Sequence, residues 1–250
     1  MRVATHGKAS TASGTHWASA VTLDLGLLSD LEPSERREVV ATMHRHTYDA
    51  GQVVFNEGDA ADTVHFVVEG RVVARRSSEH GERLAYAVMG PGQAFGELAM
   101  IVRGGRRTAT IEAVEPTVTL TLGFADFQRL CARHPEVNHL LVRLLAARVS
   151  RLTEALMEAL HTPAELRVVR SLSSLCGMYA VGAQSRSPVT VHLNQSELAE
   201  LAGVTRPTAN RVLRRLESAG VVVLDRGRVT VVDPASLRRS ATGTRGPRPD

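Results

Sequence analysis

The 250-residue sequence predicts an α+β chain: an N-terminal antiparallel β-roll, one long dimerisation helix, and a C-terminal helix-turn-helix with a β-hairpin wing. Three observations predict it. From Thr47 to Leu122, short β-branched and aromatic runs alternate with glycines at near-regular intervals, the texture of a compact roll or barrel. After Phe124 the apolar period lengthens to that of a helix. Beyond Pro163, a short helix with a capping box, a turn glycine and an arginine-faced helix follow in close order.

The bulk numbers narrow the class. Hydrophobic residues make up 43% and charged residues 22%, an ordinary globular profile, and the length allows two modest domains. No apolar run is long enough to span a bilayer, and Met1 to Trp17 has no apolar signal-peptide core, so a cytoplasmic protein without membrane contact is expected. Cys131 and Cys176 are too far apart for a CxxC pair and read as small buried hydrophobes. His44 and His46 lie two apart without an acidic or cysteine partner, so no metal is expected. From Pro163 onward there are 13 arginines, no lysine and 7 acidic residues, a balance of +6, against −2 for the remainder. Such an asymmetry suits a phosphate-binding domain joined to a neutral sensor.

The elements divide the chain as follows. Residues 1–20 lack periodicity and form a flexible tail; 21–133 make the roll domain; 134–162 the dimerisation helix and hinge; 163–237 the winged helix-turn-helix; 238–250 a disordered tail rich in Gly, Pro and Arg. Pro33-Ser34-Glu35 opens a short helix with Val39, Val40 and Met43 at helical spacing. The strand runs are Val53–Phe55, Val64–Val68, Arg71–Ala74, Leu84–Val88, Thr108–Val114 and Thr117–Leu122. His134-Pro135-Glu136 starts the long helix, with proline in the first turn. Along it Val142, Leu145, Val149, Leu152 and Leu156 step by 3, 4, 3 and 4, a seam that asks for a partner helix. Leu140, Leu141 and Leu144 point elsewhere, toward the roll. Pro163 then breaks the helix, and 165–179 forms another with Leu166, Val169, Leu172, Ser173 and Cys176 inward. A loop over 182–188 leads to a short strand over 189–193.

Asn194 caps the next helix with Glu197 as the capping-box acid, Gly203 makes the turn, and Thr205 caps a helix from Arg206 to Ser218. Val212, Leu213 and Leu216 face its core, leaving Arg206, Asn210, Arg211, Arg214 and Arg215 around the polar side, with Thr208 in the first turn. Arginine reads guanine bidentately, so Arg206 and Arg211 are the candidate base readers. Arg214, Arg215 and Arg226 are candidates for phosphate contacts. Val221 to Val232, broken at Asp225-Arg226-Gly227, forms the wing.

Three segments together resemble the catabolite activator protein (cyclic-AMP receptor) and fumarate-nitrate regulator superfamily. They are Tyr48–Asp59 with Phe66–Gly70, Phe95–Ala99 with Arg106–Ala109, and Gln195–Leu213, and the resemblance spans roughly residues 24–235. It implies a cyclic-nucleotide-binding roll whose cassette is built from Gly96, Glu97, Leu98, Arg107 and Thr108. Arg107 would pair with the cyclic phosphate, Thr108 would donate a hydroxyl, and Glu97 would accept from the ribose 2′-OH. Thr153 falls where the family contacts the base, but Leu152 beside it offers no hydrogen bond, so cyclic AMP, cyclic GMP or tolerance of both stay open. Pro207 stands where the family's base-reading Glu would, which implies relaxed preference at that base pair. The resemblance further implies a homodimer on a palindromic DNA operator, with recognition helices about 34–36 Å apart, and contact with RNA polymerase. No N-terminal cysteine cluster marks an iron–sulfur sensor, and no nucleophile–base or metal constellation marks an enzyme. The alternatives are a regulator of the same fold that binds DNA without nucleotide, or one that senses another ligand or a redox signal.

Overall fold

Residues 25–78, 83–101, 105–180 and 187–242 are described in a computed structural model. Two compact units emerge: the first takes Val88–Ala147 and the chain up to Arg75, the second Arg76–Ala87 and the chain from Arg148 on.

The first unit is a roll of antiparallel strands. One sheet runs in the order β1 (His44–Tyr48), β8 (Thr117–Gly123), β3 (Thr63–Glu69), β6 (Ala94–Phe95). The other runs β2 (Val53–Phe55), β7 (Thr110–Ala113), β4 (Val72–Ser77), β5 (Arg83–Met89), the end of β4 and most of β5 being counted with the second unit. Side chains alternate across each strand, so β7 buries Ile111 and Ala113 while Thr110 and Glu112 face outward. Glycine is required at Gly70, where φ is +74° and an added Cβ would sit 2.3 Å from Pro116 O. The expected strands are present, and β1 adds one that hydrophobicity does not signal: His44-Arg45-His46-Thr47-Tyr48 pairs with β8 in register His44 to Thr121 and Tyr48 to Thr117.

A 3-10 turn (Gly26–Leu28), α1 (Pro33–Ala41) and α3 (Phe124–Arg133) pack on one side of the roll. Leu25, Leu28, Phe66, Leu120, Leu122 and Phe127 form the heart of that core. The long helix α4 (Pro135–His161) buries Val137 and lays Leu140, Leu141 and Leu144 against the same cluster. Its other stripe is bare. Val142, Val149, Leu152 and Leu156 are 62%, 64%, 54% and 59% exposed, with Leu145 half-buried between them.

In the second unit α5 (Ala164–Tyr179) and α7 (Arg206–Ser218) pack against a sheet ordered β10 (Val222–Asp225), β11 (Arg228–Val231), β9 (Val189–Val191), and α6 (Gln195–Ala202) packs on both helices. The inward set of α5 differs from the expected one: Val168, Val169, Leu172, Leu175 and Cys176 are buried, whereas Leu166 and Ser173 are only half-buried. Helical phase is the reason, because Val168, Leu172, Leu175 and Cys176 recur at steps of three and four around one stripe. The fold also continues past 237. Asp233 caps α8 (Pro234–Ala241), Leu237 is fully buried and α8 packs on α5, so residues 238–241 belong to the domain rather than to a disordered tail. Residues 1–24, 181–186 and 243–250, where the remaining tail and loop expectations fall, lie outside the described residues.

Arginines of α5 bind the ends of neighbouring elements. Arg167 donates to Ala159 O, at the end of α4, at 2.9 Å and to Gly203 O, in the turn between α6 and α7, at 3.0 Å. Arg170 reaches Glu158 and Thr162, both at 3.3 Å.

Leu213 is wholly buried where α7 meets the sheet and α5. Leu213→Ala leaves a cavity in a small core, and denaturant melts of the C-terminal unit should show a loss of about 2–5 kcal/mol.

Candidate functional site

In the roll, β6 ends at Phe95 and the chain turns through Gly96, Glu97 and the single-turn helix α2 (Leu98–Ile101). Gly96 has φ +85°, and a Cβ there would fall 2.5 Å from Arg107 Nη1 and 3.2 Å from Thr63 O. The missing side chain is therefore space that the guanidinium uses. Arg107 is 5% exposed. Its Nη1 donates to Thr63 O at 2.7 Å and to Gly96 O at 3.3 Å, and Nη2 donates to Thr63 Oγ1 at 2.9 Å. The guanidinium lies 4.0 Å from the Phe55 ring centroid, a cation–π contact, and 3.9 Å from Asp62 Oδ1. Its Nε is buried without a hydrogen bond. Burial lowers the Arg107 pKa, with Asp62, Asp59, Tyr48 and Glu97 opposing. Arginine nonetheless stays charged at physiological pH, so a fixed cation lies inside the roll.

Glu97 is completely buried beside this cation. Thr108 follows Arg107 half-buried, with no hydrogen bond among the described residues, and exposed Arg106 donates to Gly58 O at 2.8 Å. Gly96, Glu97, Leu98, Arg107 and Thr108 thus share one part of the roll. The arrangement can hold an anion against a buried cation, with a carboxylate as acceptor for a neighbouring hydroxyl. With only four residues, α2 contributes little helix dipole to the site. Thr153 lies on α4, exposed, and its hydroxyl donates to Val149 O at 3.0 Å.

Sequence reasoning missed His65, which carries no motif. Its ring stacks on Phe95 at 4.9 Å, meets Phe55 edge-on at 5.6 Å, and places Nε2 3.3 Å from Thr63 Oγ1. Nδ1 is buried without a partner. Desolvation, then the charge of Arg107, then His46, lower its pKa to about 3, so the ring is neutral. A second unforeseen cluster joins α1 to the start of α4: His134 Nδ1 lies 3.2 Å from Glu136 and 3.7 Å from Glu35.

In the second unit, Asn194 accepts from the backbone N–H groups of Ser196 and Glu197 while Glu197 accepts from Asn194 N–H, a complete capping box. Gly203 has φ +59°, ψ +42°, the left-handed turn that releases the chain into α7. The hydroxyl of Thr205 does not cap α7. It lies 3.0 Å from Thr208 Oγ1 instead, so the two hydroxyls satisfy each other. Ala209, Val212, Leu213 and Leu216 face inward, and Arg206, Arg211, Arg214 and Arg215 are exposed. Asn210 is half-buried with Oδ1 unpartnered, less available than its place on the polar side suggests. Arg206, the start of α6 and the wing turn line a 440 Å³ groove. Glu165 of α5 pairs with Arg215 at 2.8 Å and Arg211 at 3.5 Å, a contact with no signature in the sequence.

Comparison with known proteins gives two family matches: a cyclic nucleotide-binding domain over residues 45–134 and a Crp-like helix-turn-helix domain over 166–240. The cyclic AMP receptor protein of Thermus thermophilus is 34% identical over 217 residues, covering 87% of this chain and 97% of its own length. A global nitrogen regulator of Synechocystis is 28% identical, covering 78% and 88%. The structure of the c-di-GMP responsive global regulator of Xanthomonas campestris superposes with a TM-score of 0.68 at 21% identity, over 80% of this chain and 99% of that one.

The buried imidazole generates a pH prediction. Above pH 6.5 His65 is neutral folded or unfolded; below it the unfolded chain gains a proton that the folded ring refuses until about pH 3. Stability therefore falls with acidification across that window. Between pH 7 and pH 5 the His65 contribution is about 2 kcal/mol, and His65→Phe should remove that much from the difference in unfolding free energy measured at the two pH values.

Proposed function

The chain belongs to the catabolite activator and fumarate-nitrate regulator superfamily of DNA-binding transcription regulators, and we propose that it is a cytoplasmic homodimer controlled by cyclic AMP in the roll. The observation that carries this reading is the buried Arg107 in the space left by Gly96, with Glu97 beside it. Arg107 and Thr108 would hold the cyclic phosphate, the backbone at Gly96–Leu98 would line it, and Glu97 would take the ribose hydroxyl. The bound nucleotide supplies one negative charge and a rigid bicyclic ribose phosphate. The protein supplies the counter-charge in a place where water does not screen it. Thr153 is assigned to the base from its register in the sequence. The relative from Thermus thermophilus, a cyclic AMP receptor protein by name, supports cyclic AMP over cyclic GMP.

A ligand shifts a conformational equilibrium only through its differential affinity for the two states. Arg107 supplies a basis for such a difference, because its Nη groups already bond to Thr63 and Gly96 and must rearrange or share when a phosphate arrives. The bare stripe of α4 supports dimerisation, as about four turns of largely exposed leucine and valine are otherwise an aggregation liability. Two copies would then present two α7 helices to a palindrome, with Arg206 and Arg211 at bases and Arg214 and Arg215 at phosphates. Contact with RNA polymerase completes the assignment.

A second reading keeps the regulator and changes the effector. It is favoured by Leu152, which adds no hydrogen-bond donor next to Thr153, and by relatives named for nitrogen regulation and for a cyclic dinucleotide.

Calorimetric titration with cyclic AMP, cyclic GMP and cyclic di-GMP separates the readings. Saturable binding of cyclic AMP at one site per protomer, lost in Arg107→Ala, is the expected result; heat only with another ligand, or with none, would reject the cyclic AMP assignment. Replacing Leu152 and Leu156 together by Glu should convert the dimer to monomers in sedimentation velocity while circular dichroism retains the helical content. An unchanged dimer would place the interface elsewhere.

A further inference from the structure

The arginines of α7 are not equivalent. Arg214 pairs with Glu217 of its own helix at 2.8 Å, the usual neighbour three residues on. Arg206 has no carboxylate partner among the described residues. Arg211 and Arg215 share one acid from another element: Glu165, two residues after the helix-breaking Pro163, places Oε1 3.5 Å from Arg211 Nε and Oε2 2.8 Å from Arg215 Nη1. The packing of α5 on α7 brings the three side chains within reach of one another.

The details of the fork matter. Glu165 Oε1 stands 3.5 Å from Arg211 Nε, an ion-pair distance without a hydrogen bond, and neither terminal nitrogen of Arg211 has a partner among the described residues. A pair of N–H groups is what guanine O6 and N7 require. An arginine already restrained by a carboxylate loses less freedom when it meets a base. Glu165 also puts a negative charge beside two cations on the face that would meet DNA, which weakens attraction to phosphate regardless of sequence. The charge lowers affinity for every site; restraint restores it only where the correct base is present.

We propose that Glu165 is a specificity-determining positioning residue, which presents Arg211 to a guanine and suppresses binding to unrelated DNA. The inference rests on the assignment of α7 as the DNA-reading helix. Relieving repulsion between Arg211 and Arg215, one turn apart, would be a purely structural role, and discrimination between DNA sequences distinguishes the two.

The test begins with the wild-type protein and cyclic AMP, selecting duplexes from a random library. Affinity for the selected duplex, for the same duplex with each base pair substituted, and for an unrelated duplex is then measured for wild type, Glu165→Gln, Arg211→Ala and the double variant. Glu165→Gln should melt within about 2 °C of wild type, as expected for an exposed ion pair. It should bind the unrelated duplex more tightly and lower the ratio of specific to non-specific affinity roughly tenfold, concentrated at the base pair that Arg211 reads. In the Arg211→Ala background the same substitution should no longer change discrimination at that base pair. Equal tightening on both duplexes would reduce Glu165 to a general repulsive charge and overturn the proposal. So would a lowered melting temperature with an unchanged ratio. A wild-type selection that enriches no sequence with cyclic AMP, cyclic GMP, cyclic di-GMP or no nucleotide would refute the DNA-reading assignment itself, and this inference with it, before any variant is compared.

Discussion

A guanidinium inside a protein must find acceptors, and the geometry around Arg107 is the constraint on which the roll depends. Its hydrogen bonds tie the segment after α2 to Thr63 on β3 and to Gly96 after β6. Its flat face lies on Phe55 of β2, so one side chain touches both sheets. That arrangement dictates a glycine at 96, where any Cβ would collide with the arginine, and an uncharged imidazole at 65, where a proton would meet both desolvation and a cation. The cost of burying this charge is borne by folding, which leaves the cation already stripped of water.

The long helix answers a different demand. Leu140, Leu141 and Leu144 fasten its first half to the core formed by Phe66, Leu120 and Phe127, while the opposite stripe stays uncovered along the rest. One helix thus serves as the last layer of a domain and as a surface of another kind. An isolated helix needs tertiary contacts to hold its length, and an exposed apolar stripe needs a cover.

Much of this was legible in the sequence because the responsible signals are local. Glycine-punctuated strands, the heptad steps from Val142 to Leu156, the capping box at Asn194 and Glu197 and the left-handed Gly203 all declare themselves within a few residues. The features that escaped are pairings between distant segments. β1 is polar throughout and is a strand only because β8 supplies its hydrogen bonds. His65 is unremarkable until Phe95, Phe55 and Arg107 surround it. Glu165 lies 46 positions before Arg211, and only the packing of α5 on α7 joins them. Thr205 failed as a cap for a local reason of the other kind, because Thr208 offered its hydroxyl a nearer partner. Of the candidate site, the cluster around Gly96 and Arg107 was visible as a motif, while the residues that tune it were not.

Arg167 binds Ala159 O at the last turn of α4 and Gly203 O between α6 and α7 with a single planar group. A planar fork with two acceptors sets relative orientation as well as distance, which a single hydrogen bond does not. The end of the long helix and the turn between α6 and α7 are thereby joined through one side chain, so a change at Arg167 reaches both at once.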